Sequence, residues 1–173
     1  MAAGGFSDAS GNTNSVSNTY TWTYDGTGPT MTITSSTVSS GASTTTAAVA
    51  LTFTSNEATS NFAQTDITES GCSLGSFGTT SSTIYTDTCT VSADGAASVL
   101  VAATTFTDAV SNANSASNTY SWTQDDTGPT MTITSATVDS GSDTNTAGVA
   151  LVFTSNEATT DFIAGDITVS GCS

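Results

Sequence analysis

An all-β chain of tandem antiparallel sandwiches, with about seven strands per unit, is the fold class this sequence predicts, and three observations carry it. First, residues 1–73 align without a gap on residues 101–173, with about two-thirds of the positions identical. Second, short stretches in which apolar and polar residues alternate are separated by Gly, Ser, Asp and Asn clusters, with no helical periodicity between them. Third, Trp, Phe, Tyr, Ile and Val are spaced regularly through an acidic, Ser/Thr-rich composition, which argues for a packed core over disorder. A period of one hundred residues is too long for a helical solenoid unit and fits a small β domain.

The repeat is organised around one stretch. Residues 18–35 read NTYTWTYDGTGPTMTITS and residues 118–135 read NTYSWTQDDTGPTMTITS. In each, a strand-like segment with alternating aromatics runs into a short Asp-x-Thr-Gly-Pro joint, and a second alternating segment starts at once beyond it. Taking the joints as seams divides the chain into the closing strands of one repeat (residues 1–25), one complete repeat (26–125) and the opening half of the next (126–173).

Within the complete repeat, Met31 and Ile33 alternate with threonines and give a first strand. Residues 39–46 read as a loop. Val49, Leu51 and Phe53 form a second strand, followed by the turn Ser55-Asn56-Glu57-Ala58. Phe62 and residues 66–70 suggest a third, and residues 71–77 and 83–91 a fourth and fifth around the turn-rich residues 78–82. Ala97, Val99, Val101 and Ala103 give a sixth strand, and Tyr120 and Trp122 a seventh after a long polar loop. Seven short strands of this kind pack as two antiparallel sheets.

Cys72 and Cys89 lie nearly symmetrically about the Thr80-Ser81 turn. If the fourth and fifth strands form a hairpin, the two come roughly opposite each other, within reach of a disulfide. The alternative is two buried free thiols. The acidic, repetitive, Ser/Thr-rich composition looks extracellular and favours the bridge. Cys172 corresponds to Cys72, and the counterpart of Cys89 would fall beyond Ser173, so Cys172 is expected unpaired.

Fifteen Asp and Glu stand against no Lys, Arg or His, a net charge of −15. Nucleic acid and anionic membrane surfaces are therefore poor partners, because binding to either draws on basic side chains. No apolar run approaches a membrane span, and the polar first residues are not a signal peptide, so any export signal is expected outside this sequence. Catalysis has little to stand on: without His, Lys or Arg there is no Ser-His-Asp or Cys-His arrangement and no cationic oxyanion clamp. A carboxylate pair could serve a glycosidase, but these acids sit in turns that recur in each copy.

The loop Asp8-Ala9-Ser10-Gly11-Asn12 (Asp108-Ala109-Val110-Ser111-Asn112 in the next copy), the Asn-Thr-Tyr-x-Trp strand, the Asp-x-Thr-Gly-Pro-Thr joint and the Phe-Thr-Ser-Asn-Glu-Ala-Thr segment at residues 53–59 together resemble the bacterial immunoglobulin-like domains that occur in tandem arrays in large surface proteins and adhesins. The absence of basic residues departs from that family, so no ligand contact made through Lys or Arg in relatives is carried over. With immunoglobulin topology, the turn after the second strand and the loop before the seventh lie where the chain enters the domain. That end gathers Glu57, Asp108, Asn112 and Asn114 beside the joint at Asp25. The next joint is expected to bring together Asp125, Asp126 and Glu157, with Asp94 from the far end of the preceding unit. Carboxylates with Asn and backbone carbonyls are the ligand set of calcium, and the Asp-Asp-Thr-Gly-Pro order resembles the calcium-binding linkers of cadherin-type arrays. The competing reading is that Asp and Asn are simply common in turns.

The function expected is that of a structural, adhesive spacer in an extracellular bacterial fibre or surface protein, with joints rigidified by calcium. Its partners are further copies along the chain, with lateral self-association a further possibility. The alternative is a module that binds glycan or ice through exposed Thr and aromatic faces. A sandwich half built from residues 126–173 would leave Val149, Leu151 and Phe153 uncovered, which leads to the expectation that the physiological chain is longer and its repeats covalently continuous.

Overall fold

The structure is a computed structural model that describes residues 1–59 and 61–171; Cys172 lies outside the described residues. The alternating stretches become strands as their parity dictates: β1 Met31–Ser35, β2 Ser43–Thr44, β3 Ala48–Ser55, β4 Ile67–Ser70, β5 Ser73–Leu74, β6 Gly78–Thr79, β7 Ile84–Thr90, β8 Gly95–Val101 and β9 Tyr120–Gln124. One sheet has the order β1-β3-β7, with β5 and β6 both on the outer edge of β7, and the other has the order β2-β9-β8-β4. All pairings are antiparallel except β2 with β9. This is the two-sheet arrangement of an immunoglobulin-like sandwich.

The inward face of β3, Val49, Leu51 and Phe53, is sealed from solvent and joins Met31, Ile33, Tyr85 and Cys89 on one side of the core. Ala97, Val99, Val101, Tyr120 and Trp122 supply the other side. Phe62 closes one end, with its ring 5.0 Å from both Tyr85 and Phe106 in edge-to-face contacts, the geometry the aromatic quadrupole favours. Each large side chain sealed this way contributes about 1.5–3 kcal/mol of burial free energy.

Asp87 is the exception on β7: it occupies an inward position between Tyr85 and Cys89 and is buried. Its carboxylate accepts hydrogen bonds from Gln64 Nε2 (2.8 Å) and from the backbone N–H groups of Ser76 (2.8 Å), Gly75 (3.3 Å) and Thr88 (2.7 Å). A buried carboxylate without a cation persists only with such a set of donors. By holding Gly75 and Ser76, Asp87 accompanies the end of β5 at Leu74, so that only part of the expected fourth strand, residues 71–77, is strand, and Gly78–Thr79, read from sequence as turn, pairs with β7 as β6.

Cys72 and Cys89 form a disulfide, with Cα atoms 5.7 Å apart. They are not directly opposed as the hairpin symmetry suggested, because Leu74 takes the place opposite Cys89. Cys72 sits at the crossover from β4 in one sheet to β5 in the other, so the bridge ties that crossover to β7. Closing a loop with a sequence separation of 17 removes about 3 kcal/mol of unfolded-state entropy in the chain-entropy account.

The stretch 39–46, expected as loop, contains β2. It runs parallel to β9, with Gly41 N–H bonded to Ser121 O, Thr123 N–H to Ala42 O and Asp125 N–H to Thr44 O. Beyond the sandwich, β10 Met131–Thr134 and β11 Val152–Ser155 form a separate two-stranded sheet in the register of β1 and β3. Residues 1–25 hold no strand among those described, although they were expected to supply the closing strands of a repeat, with Tyr20 and Trp22 in the place of Tyr120 and Trp122. Trp22 is 78% exposed where Trp122 is 2% exposed. The reason is positional: β9 is flanked by β8 and β2, and residues 1–25 contain no counterpart of either.

Candidate cation site at the joint

The joint of residues 25–30 is seated on the loop of residues 108–115. Asn112 Nδ2 donates to the carbonyls of Asp25 (3.2 Å) and Thr27 (3.3 Å), and Ser115 N–H donates to Pro29 O (3.0 Å). Gly28 lies so close that a Cβ there would stand 2.0 Å from Ala113 O, which is why only glycine serves at that position. Pro29 is fully buried, and Thr30 N–H donates to Asn56 Oδ1 at 2.6 Å.

The loop is built around its own side chains. Asp108 Oδ1 accepts from the N–H groups of Val110 (2.9 Å) and Asn112 (2.8 Å), and its Oδ2 accepts from Asn112 Nδ2 (2.8 Å). Asn114 Oδ1 accepts from the N–H groups of Thr105 and Phe106, while its Nδ2 donates to Ala102 O and Ser115 O. These are Asx-type turns that fix a loop from within. In residues 8–15, Asp8, Asn12 and Asn14 repeat most of the same bonds.

Seating the joint on this loop brings three carboxylates together. Asp25 from the joint, Glu57 from the turn after β3 and Asp108 from the loop each place one oxygen within 4.8 Å of the others. Asp25 is exposed, Glu57 half-buried and Asp108 buried. Glu57 Oε1 is inaccessible to solvent and has no hydrogen-bond partner. Burial, with the charges of Asp25 and Asp108 added to it, raises the Glu57 carboxyl above its ordinary value. Burial also acts to raise Asp108, but the bonds donated by Asn112, Val110 and Ser111 outweigh it and leave that carboxyl below its ordinary value. The cluster thus holds one acid stabilised as the anion beside one that is strained as the anion. Its donors are all oxygens, which fits a hard cation such as calcium and not a thiophilic metal.

Among the described residues no second group of three acids lies so close. At the following joint Asp125 and Asp126 are exposed and Glu157 is half-buried. Asp94, from the turn before β8, reaches this joint: its Oδ1 accepts from Asp126 N–H (2.7 Å) and its Oδ2 from the Thr127 hydroxyl. These bonds hold the Asp94 carboxyl below its ordinary value.

Asn56 and Asp87 were not among the residues singled out from sequence. Asn56 belongs to the repeated Ser-Asn-Glu-Ala turn, and the parity of β7 puts Asp87 on the inward face, so a signal existed for both.

No curated protein and no solved structure matches the chain. The family model described as bacterial Ig-like domain matches residues 25–123, from the first acid of the joint into β9, which is more than half of the chain. Such domains are structural modules found in bacterial surface proteins. Among the described residues no helix is long and apolar enough to cross a membrane. The chain belongs to the bacterial Ig-like domain family.

Proposed function

We propose that this chain is a non-enzymatic, adhesive spacer of an extracellular bacterial surface protein or fibre, built from tandem units whose joints bind calcium. The observation that carries the cation is the convergence of Asp25, Glu57 and Asp108 on an oxygen that no donor satisfies. Within a sequence that has no basic side chain, a bound cation is the available counter-charge. Asp25, Glu57 and Asp108 would hold it, and the backbone-held Asn112 keeps Asp25 in reach. A cation there joins the entering chain to two separate loops of the unit and stiffens the connection.

The test is thermal unfolding with and without calcium, because a ligand that binds only the folded state raises the melting temperature by mass action. Wild type should gain several degrees at saturating calcium. Glu57→Gln should lose that gain, yet melt higher than wild type in chelator, since it removes the strained anion. The pH dependence in chelator has the matching sign. A carboxyl raised in the folded state stabilises while protonated, so melting temperature should climb as pH falls from neutrality toward the ordinary glutamate value of 4.5. It should then drop below the ordinary aspartate value of 3.8 as Asp108 and Asp94, lowered in the folded state, take up protons. An unchanged melting temperature on adding calcium sinks the cation reading.

A second reading, a surface for glycan or ice, has one observation in its favour. Thr34, Thr52 and Thr86 align in a row across β1, β3 and β7, and the outward face of these strands carries no acid. Binding to immobilised polysaccharide or growing ice that is lost on Thr52→Glu would favour it over the spacer.

A further inference from the structure

The two joints are held by different neighbours. At residues 25–30 the unit ahead takes hold: Asn112 and Ser115 occupy the carbonyls of Asp25, Thr27 and Pro29. At residues 125–130 the unit behind takes hold: Asp94 occupies the N–H of Asp126 and the hydroxyl of Thr127. The β2–β9 ladder extends that hold to Asp125 N–H. In both joints the N–H of the final Thr is bound by the Asn that follows β3 or β11, Asn56 or Asn156, at 2.6 Å.

The groups used are disjoint. The unit behind uses the N–H groups of the first two residues and the hydroxyl of the third, and the unit ahead uses the carbonyls and the N–H of the final Thr, so neither displaces the other. The joint sequences differ within these six residues only at Gly26 against Asp126, and the group used there is the backbone N–H, which both possess.

We infer that the Asp-x-Thr-Gly-Pro-Thr joint is a docking segment gripped from both sides, its donors by the Asp94 turn of the unit behind and its carbonyls by the Asn112–Ser115 loop of the unit ahead. The partner surface at each end of a unit is therefore a neighbouring copy of the repeat. Consecutive units are fixed relative to one another by backbone hydrogen bonds, and a cation adds to a connection already made. The inference rests on the tandem reading, because it carries grips seen at two joints onto one, and it is independent of calcium.

The test uses the full chain in chelator, with amide hydrogen exchange read residue by residue by NMR. Asp94→Ala should speed exchange at Asp126 and Thr127 by about tenfold or more and leave residues 25–30 unchanged. Asn112→Ala should loosen residues 25–30 and leave residues 125–130 unchanged. Because Asn112 also braces Asp108, Gly28→Ala serves as the independent variant. Its methyl group would collide with Ala113 O and lift the joint off the loop with Asn112 intact, whereas Gly128→Ala has open space around it and should change nothing. Unchanged exchange at Asp126 and Thr127 in Asp94→Ala, or an unloosened joint in both Asn112→Ala and Gly28→Ala, overturns the inference. Since calcium is absent throughout, failure of the cation reading leaves these outcomes untouched.

Discussion

Residues 31–55 and residues 131–155 are near copies that end in different states. Met31 pairs with Ser55 and Ile33 with Phe53, just as Met131 pairs with Ser155 and Ile133 with Phe153. The supporting bonds also recur, including Thr37 N–H to Ser35 Oγ and its counterpart Thr137 N–H to Ser135 Oγ. Yet Leu51 is 1% exposed and Leu151 52%. β3 runs for eight residues and β11 for four. The extra length of β3 is matched by β7, which pairs with it from Ala48 to Thr54, and residues 126–171 supply no equivalent of β7. An open groove of about 630 Å³ lined by Ile133, Val138, Val149 and Leu151 takes the place of the packing around their counterparts Ile33, Val38, Val49 and Leu51, all of which are buried. Register is thus set by local pattern and turn, and burial by strands that arrive from far along the chain.

The largest effect that could break this comparison is at the tryptophans. Trp122→Ala should cost about 3–5 kcal/mol, the range for emptying a large aromatic site in a core, whereas Trp22→Ala should leave the unfolding midpoint in denaturant within error. Equal losses would mean that residues 1–25 are packed in solution. Next is the bridge. Cys89→Ser should lower stability by about 3 kcal/mol while β1–β3 pairing persists in the amide exchange pattern; loss of that pairing as well would show that the disulfide, and not the second sheet, sets residues 31–55 apart from residues 131–155. The smallest effect sharpens the loops. Ser111 adopts φ of 72° where its counterpart Gly11 has 86°, a left-handed conformation that costs a residue with a Cβ. Ser111→Gly should therefore stabilise by about 0.5 kcal/mol. Gly11→Ser, in a loop outside the sandwich, should alter only its local exchange rates.

Much of the fold was legible because alternation fixes which side chains face inward. Val49, Leu51, Phe53, Val99, Val101, Tyr120 and Trp122 all fall inside on parity alone. β2 was not legible, since a two-residue parallel pairing with a strand nearly eighty positions away leaves no local periodic trace. The cysteine pairing was legible, but its register was not, because the Asp87 carboxylate interrupts the ladder between β5 and β6. At the joint, the grouping of Asp25, Glu57, Asp108 and Asn112 followed from topology and turn chemistry. The presence of Asp94 at the following joint also followed from topology, but the groups it binds there, Asp126 N–H and the Thr127 hydroxyl, needed coordinates, since several acids border that joint and only geometry selects among their partners.

The disulfide also sets how far a unit can lengthen under load. A spacer pulled along its axis extends by the contour of the residues it releases, at about 3.5 Å each. The residues spanned by the Cys72–Cys89 bridge, with a separation of 17, stay folded back on themselves whatever happens to the sheets. Each ruptured unit therefore yields about 55 Å less chain than its length would allow. In the tandem array proposed above, an oxidised chain would accordingly be stiffer at large extension than a reduced one, and would span a shorter distance once its units had ruptured.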